Sequence, residues 1–237
     1  KDLVIEVADM VIEEKAIIEV DKVLSIIVGN PKFWLFSATL TKGLRQFINK
    51  YLSGTDEIII EEKELTKSSI EHCFIPCKAK QKEEVLLNLI DIINPYLLLI
   101  FVNTKERVIE LSKHLADNNV KVATLHGDLD DRSRRQTLKR IQDMQYQYIV
   151  ASDIASRGID IPGVSHVINF DLPKDTEFYI HRTGRTARYD QTGIAFALYD
   201  YDDEKYVEFL RKKGLNVKFK KILNNELVPT KLEKAIG

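Results

Sequence analysis

Cysteine is nearly absent, and the little there is argues against both a disulfide framework and a zinc site. Cys73 and Cys77 are the only two in 237 residues. The stretch from Ile70 to Cys77 alternates like a strand, which holds the thiols roughly 13 Å apart and forbids a bridge within it. With no second cluster of metal-ligand residues, they read as half-buried thiols of a reducing compartment. No apolar run reaches membrane-spanning length, and Lys1-Asp2-Leu3-Val4 lacks the layout of a signal peptide. A soluble, cytoplasmic protein without membrane contact is expected. Excess charge is also missing: 35 basic against 36 acidic residues leave a net charge of -1. Any nucleic-acid contact must therefore come from local basic patches. There is no repeat of solenoid length and no low-complexity segment. What remains is a globular composition, 44% hydrophobic, sufficient for one large domain or two smaller ones.

The chain opens as strand, helix, strand: an apolar run over Leu3 to Ala8, an amphipathic helix over Asp21 to Val28, then Phe33-Trp34-Leu35-Phe36. Ser37-Ala38-Thr39 ends the second strand, and Thr41 caps a helix to about Leu52. Ser53 to Ser69 holds Gly54, an acidic run and a short strand candidate at Ile58-Ile59-Ile60, and reads as a linker. From Ile70 the alternation becomes regular. Helices are expected over Lys80 to Ile93, Lys105 to Asn118, Asp131 to Asp143, Asp175 to about Thr186 and Asp202 to Lys213. Strands are expected over Tyr96 to Val102, Val120 to Leu125, Gln147 to Ala151, Val164 to Phe170 and Gly193 to Tyr199. Leu97 to Val102 and Tyr148-Ile149-Val150 are continuously apolar, as strands covered on both faces must be. The expected fold is α/β, a doubly wound parallel sheet over 70–222, preceded by an incomplete second α/β unit over 1–52 and a linker over 53–69. The remainder, 223–237, reads as a tail. Lys218-Phe219-Lys220-Lys221 is basic, either solvated or in touch with a polyanion.

Ligands of an open parallel sheet bind at the carboxyl ends of its strands. Polar clusters fall there: Thr104 after Val102, His126-Gly127-Asp128 after Leu125, Ser152 to Asp160 after Ala151, and Asp171 after Phe170. Singly, Thr104 and Asp153 are ordinary helix caps and Gly127 a turn glycine. Ser156-Arg157-Gly158-Ile159-Asp160 is more than a cap requires. Then comes Tyr179-Ile180-His181-Arg182-Thr183-Gly184-Arg185-Thr186-Ala187-Arg188. As a helix, it would line His181, Arg185 and Arg188 on one stripe, a turn on from Arg182. Stacked guanidiniums repel, an anion offsets the cost, and the arginine fork suits phosphate. A solvated basic face is the plain alternative.

With these stretches in place the sequence resembles the DEAD-box RNA helicase family. The resemblance rests on Ser37-Ala38-Thr39, Phe101-Val102-Asn103-Thr104-Lys105, Leu125-His126-Gly127-Asp128 with Arg134, Ala151 to Asp160, and His181 to Arg188, collinear and spread over most of the chain. It implies a helicase C-terminal motor domain of RecA-like fold. Arg185 and Arg188 would then be arginine fingers toward ATP phosphates held by another domain. Asp160, with Gly158 beside it, would hold the nucleotide, and His181 would link to the other domain's catalytic motif. Thr104, Gly127, Arg134 and Ser152 would grip the RNA backbone, single-stranded or duplex, with little sequence preference. Ser37, Thr39 and Arg182 would couple the domains. ATP and magnesium are the implied cofactors, RNA the partner, and a monomer the expected state.

The departures are as specific. No Gly-x-x-x-x-Gly-Lys-Ser/Thr phosphate loop occurs, nor the glutamine-bearing adenine motif ahead of it. The family's Asp-Glu-Ala-Asp reads Glu6-Val7-Ala8-Asp9. Glu6 can still offer magnesium a hard oxygen, Asp9 matches the motif's final aspartate, and Val7 cannot act as a base. Asp131 stands where glutamine is usual and Ser152 where threonine is. Two functions compete: the C-terminal part of an ATP-dependent helicase, inactive by itself, or a non-catalytic RNA-binding or regulatory remnant. An unrelated enzyme acting on a small phosphorylated substrate would leave the arginines without a reason to occur together.

Overall fold

A computed structural model describes residues 2–6, 8, 12, 17–26, 32–37, 40, 42–52, 54–59, 69–156, 161–186 and 192–231. The chain divides into two compact units, Lys1–Glu61 and Glu62–Gly237.

In the first unit, β1 (Asp2–Glu6) pairs in parallel with β2 (Lys32–Phe36), with helices α1 (Ile17–Ile26) and α2 (Lys42–Tyr51). Strand alternation sends Leu3, Ile5, Phe33 and Leu35 to one face, and Leu44, Phe47 and Leu52 complete a small core there with Ile5, Phe33 and Leu35. The other face carries Val4, Trp34 and Phe36, all more than half exposed. The first helix begins four residues before the expected Asp21. Ile58 and Ile59 are exposed and form no strand, and Ile60 lies outside the described residues.

The second unit is built on an eight-stranded sheet. Its strands are β3 (Ile70–Pro76), β4 (Leu98–Val102), β5 (Val122–Leu125), β6 (Tyr148–Ser152), β7 (His166–Asn169), β8 (Gly193–Tyr199), β9 (Val217–Leu223) and β10 (Glu226–Pro229). They lie in the order β10-β9-β3-β8-β7-β4-β6-β5, all parallel except the β9–β10 hairpin. Helices α3 (Lys82–Ile93) and α4 (Lys105–Asp117) cover one face through Leu86, Leu89, Ile90, Val108, Leu111 and Leu115, which pack on Leu98, Ile100, Val150 and Ile168. On the other face, α5 (Asp131–Gln142) packs Leu138 and Ile141 on Leu99, Phe101 and Ile149. There α7 (Thr176–Thr183) and α8 (Glu204–Lys212) bring Tyr179, Val207 and Leu210 onto Phe74, Ala197 and Tyr199. A single helical turn, α6 (Asp153–Ser156), follows β6. This is the doubly wound α/β arrangement expected, and β4 is buried along its whole length as its unbroken apolar sequence requires.

Three sequence readings need correction. The expected tail contains a strand: β10 pairs with β9 through the two-residue turn Asn224-Asn225, both at positive φ, where asparagine is favoured. Two of the lysines of β9 are paired within the protein rather than left to solvent or a polyanion alone. Lys218 and Lys220 both donate to the Glu71 carboxylate at 2.9 Å, which ties β9 to β3 and pulls the Glu71 pKa down to about 2. The cysteines are buried rather than half-buried, and burial raises the Cys73 thiol to about 12 and Cys77 to about 11.

Candidate functional site

Register brings four strand ends to one line. Val102 pairs with Ser152, Leu125 with Ala151 and Phe101 with Asn169, so the loops after β4, β5, β6 and β7 leave the sheet at the same rim. Local sequence then shapes each exit. Thr104 stops β4 and caps α4, its hydroxyl accepting from the Arg107 amide at 3.2 Å. Asp130 caps α5 by accepting from the amides of Arg132 and Ser133, both at 2.9 Å. Between them the exposed Gly127 sits in a turn. Lys105 and Asp128 pair across the β4 and β5 loops, and the hydrogen bond from Lys105 lowers the Asp128 pKa.

The rim is held by Arg182. Its side chain is 1% exposed. Nε and Nη2 donate in parallel to the two Asp153 carboxylate oxygens at 2.6 and 2.7 Å, the bidentate geometry that suits a guanidinium. Nη1 donates to the Asp171 carbonyl at 2.7 Å and Nη2 to the Asn103 side-chain oxygen at 2.8 Å. The Phe101 ring lies 5.2 Å from the guanidinium carbon. Asn103 closes the ring of contacts: its amide donates to the Asp171 carboxylate and its side chain to the Leu172 carbonyl. One buried cation thus joins helix α7 to the exits of β4, β6 and β7. These hydrogen bonds all lie within the second unit, so Arg182 holds the rim together. Asn103 and the Asp153 partnership are the residues the sequence reading missed.

The arginine segment is also less regular than a continuous helix. Helix α7 ends at Thr183, and the chain tightens as Arg185 N donates to Arg182 O and Thr186 N to Thr183 O. Arg185 consequently stands in a turn, half-buried like His181. A Cβ at Gly184 would lie 3.0 Å from the Ile180 carbonyl oxygen. Thr186 pins the end of the segment, donating its buried hydroxyl to the carbonyls of Val164 and Ser165. At the other end Tyr179 hydrogen-bonds the buried His72 ring at 2.9 Å, and burial lowers the His72 pKa to about 4.

Of the expected RNA-gripping residues, Thr104, Gly127 and Ser152 meet on the rim, and Arg134 reaches it by donating to the Ala155 carbonyl at 2.7 Å. Ser152 is buried, 7% exposed. Glu6 is exposed at the end of β1 and Ser37 just past β2, both in the first unit. Val7, Asp9, Thr39, Gly158, Asp160 and Arg188 lie outside the described residues. Among the described residues no group of three or more histidine, cysteine or acidic side chains is placed to hold a metal.

The model of the helicase conserved C-terminal domain matches residues 81–190. A DEAD-box ATP-dependent RNA helicase, CshB, of Staphylococcus aureus is 42% identical over 229 residues, which is 97% of this chain and 51% of that protein. CshB of Bacillus subtilis is 37% identical over 226 residues, covering 95% and 52%. Among solved structures, the Escherichia coli DEAD-box protein SrmB bound to regulator of ribonuclease activity A has a TM-score of 0.61 at 30% identity, covering 66% of this chain and 92% of that one. The chain belongs to the DEAD-box helicase family. Its second unit is a DEAD-box C-terminal domain of RecA-like fold. Another DEAD-box protein, Dbp5 of Saccharomyces cerevisiae bound to RNA and ADP BeF3, has a TM-score of 0.83 at 26% identity over 94% of this chain and 59% of that one. The chain spans about half the length of the curated DEAD-box relatives it matches.

Proposed function

We propose that this chain is the C-terminal part of an ATP-dependent DEAD-box RNA helicase, gripping the RNA backbone at the rim and supplying Arg185 and Arg188 to ATP held by a preceding motor domain. One observation carries the reading: the Arg182 clasp fixes several strand ends so that a turn glycine, hydroxyls and the Arg134 guanidinium converge. Such a surface contacts phosphate and sugar rather than base edges, and sequence preference should be slight. Further support is that the Staphylococcus aureus relative is named an ATP-dependent RNA helicase and that Dbp5 carries RNA and ADP BeF3.

ATP and magnesium belong to the intact protein in this reading. No phosphate loop occurs in the sequence, so the triphosphate would be held by the preceding motor domain. Residues 1–52 would be the end of the first motor domain, which fits the apolar face of β1 and β2, since parallel sheets are ordinarily covered on both sides. Asp160 and Gly158 are assigned to the nucleotide, His181, Ser37, Thr39 and Arg182 to coupling between domains, and Glu6 and Asp9 to the metal motif. The protein is proposed to act as a cytoplasmic monomer. A regulatory RNA-binding remnant is the second reading, favoured by Val7 in the base position.

Phosphate release by the protein with its first motor domain present tests the assignment. Arg185→Ala should slow hydrolysis by about 10²-fold or more while ATP affinity changes far less, the mark of a contact made in the transition state. Equal rates in the two forms would remove Arg185 from the chemistry. If Val7→Glu alone raises turnover by roughly 10² to 10⁴, the regulatory reading describes the natural protein.

A further inference from the structure

Helix α5 presents a one-sided charge that the rim does not account for. Arg132, Arg135, Lys139 and Arg140 are all exposed and follow one another at i, i+3, i+7 and i+8, across about 12 Å of helix axis. Among the described residues, none of the four carries an ion pair or a side-chain hydrogen bond. Several cations elsewhere are paired, as at Lys82 with Asp200 and Asp203, Arg107 with Glu83, and Lys218 with Glu71. Unscreened like charges at this spacing destabilise a helix. The helix cannot turn them away, because Leu138 and Ile141 lock its other face into the core. Acids stand only at its ends, Asp131 and Asp143, and the carboxylate of Asp130 is occupied with the first amides.

The stripe is continuous with the rim. It starts directly after the Gly127 turn, on the same helix from which Arg134 reaches the Ala155 carbonyl. At its far end the chain folds back through the Gln145 amide bond to the Arg140 carbonyl, and Tyr146 brings a fifth cation, Lys121, to 5.1 Å from its ring centre. The exposed residues of α5 include no apolar side chain, so the face lacks the buried anchors a protein partner would need. A polyanionic backbone requires only spaced cations.

We propose that this face of α5 is a second RNA track, holding the phosphates of a strand that runs on past the rim. The inference rests on the RNA reading of the rim and adds a length dependence to it. The test is a fluorescence-anisotropy titration of the full chain over a salt series. One probe is a short single strand that fills only the rim, the other an RNA long enough to continue along α5. The combined substitution Arg135→Gln, Lys139→Gln and Arg140→Gln should make the salt dependence of long-RNA binding shallower by roughly 2 in the log–log slope, because each phosphate contact contributes about 0.7 to 0.9. The short strand should be unaffected. Arg135→Lys with Arg140→Lys should keep the long-RNA slope. An equal charge change elsewhere, Lys113→Gln with Lys212→Gln and Lys213→Gln, should leave it unchanged. A long-RNA slope untouched by the α5 substitutions, or lowered as much by the control, overturns the proposal. Failure of the short strand to bind would count against the rim reading, while the long-RNA slope still decides the α5 track.

Discussion

Replacing Arg182 by methionine should destabilise the second unit by about 3 kcal/mol, the lower end of the range for breaking a buried ion pair. The lower end applies because the Asp153 side chain keeps 23% of its exposure and can recover some hydration. The loss is not that of one bond: a bidentate carboxylate, the Asp171 carbonyl and the Asn103 oxygen all lose a donor together. Urea unfolding followed by far-UV circular dichroism reads mainly the second unit, and the fluorescence of Trp34, the only tryptophan, reads the first. With a slope of about 2 to 3 kcal/mol/M the dichroism midpoint should fall by about 1 M while the slope and the fluorescence midpoint stay put. Asp153→Leu should cost a similar amount, and the two together less than their sum, since no buried charge is then left alone. A midpoint shift below about 0.3 M for Arg182→Met would refute the clasp, because a solvent-facing arginine costs that little.

The buried His72 predicts an acid limb. Its folded pKa of about 4 lies below the unfolded value near 6.5, so the stability held in the neutral ring is complete above pH 6.5 and is lost as pH falls toward 4, about 3 kcal/mol in all. In His72→Gln, urea midpoints measured across that window should flatten, and an unchanged limb would mean the ring is already charged or solvated. Gly193→Ala should cost about 2 kcal/mol by overpacking, since the new Cβ would overlap the Thr186 side chain. Combining it with Thr186→Ala should cost less than the two singly added, and strict additivity in thermal melts would show that the residues do not meet.

The strand and helix rhythm was legible because the central strands are locally extreme. Leu97 to Val102 is apolar without a break, and Thr104 stands where a helix cap belongs. The β9–β10 hairpin was not legible for a physical reason. Lys218-Phe219-Lys220-Lys221 reads as a basic stretch, solvated or facing a polyanion, until Glu71, 147 residues before Lys218, arrives to pair with two of its lysines. Arg182 misled in the same way: beside Arg185 in sequence it looked like one of an exposed set, and only the fold brings Asn103 and Asp153 around it. The rim positions of Thr104 and Gly127 followed from where polar residues succeed apolar runs. The burial of Ser152 did not, since a strand's last residue gives no local sign of how deeply its neighbours cover it.

The measurement closest to the central claim is the affinity of the chain for a short single-stranded RNA at low salt, alone and as Gly127→Glu. Gly127 is exposed at the centre of the rim, so a carboxylate there should repel a phosphate without disturbing the core. The account predicts binding that weakens steeply with salt in the parent chain and falls at least about tenfold in Gly127→Glu, the equivalent of about 1.4 kcal/mol. Absence of binding at low salt, or equal affinity of the two chains, would contradict it.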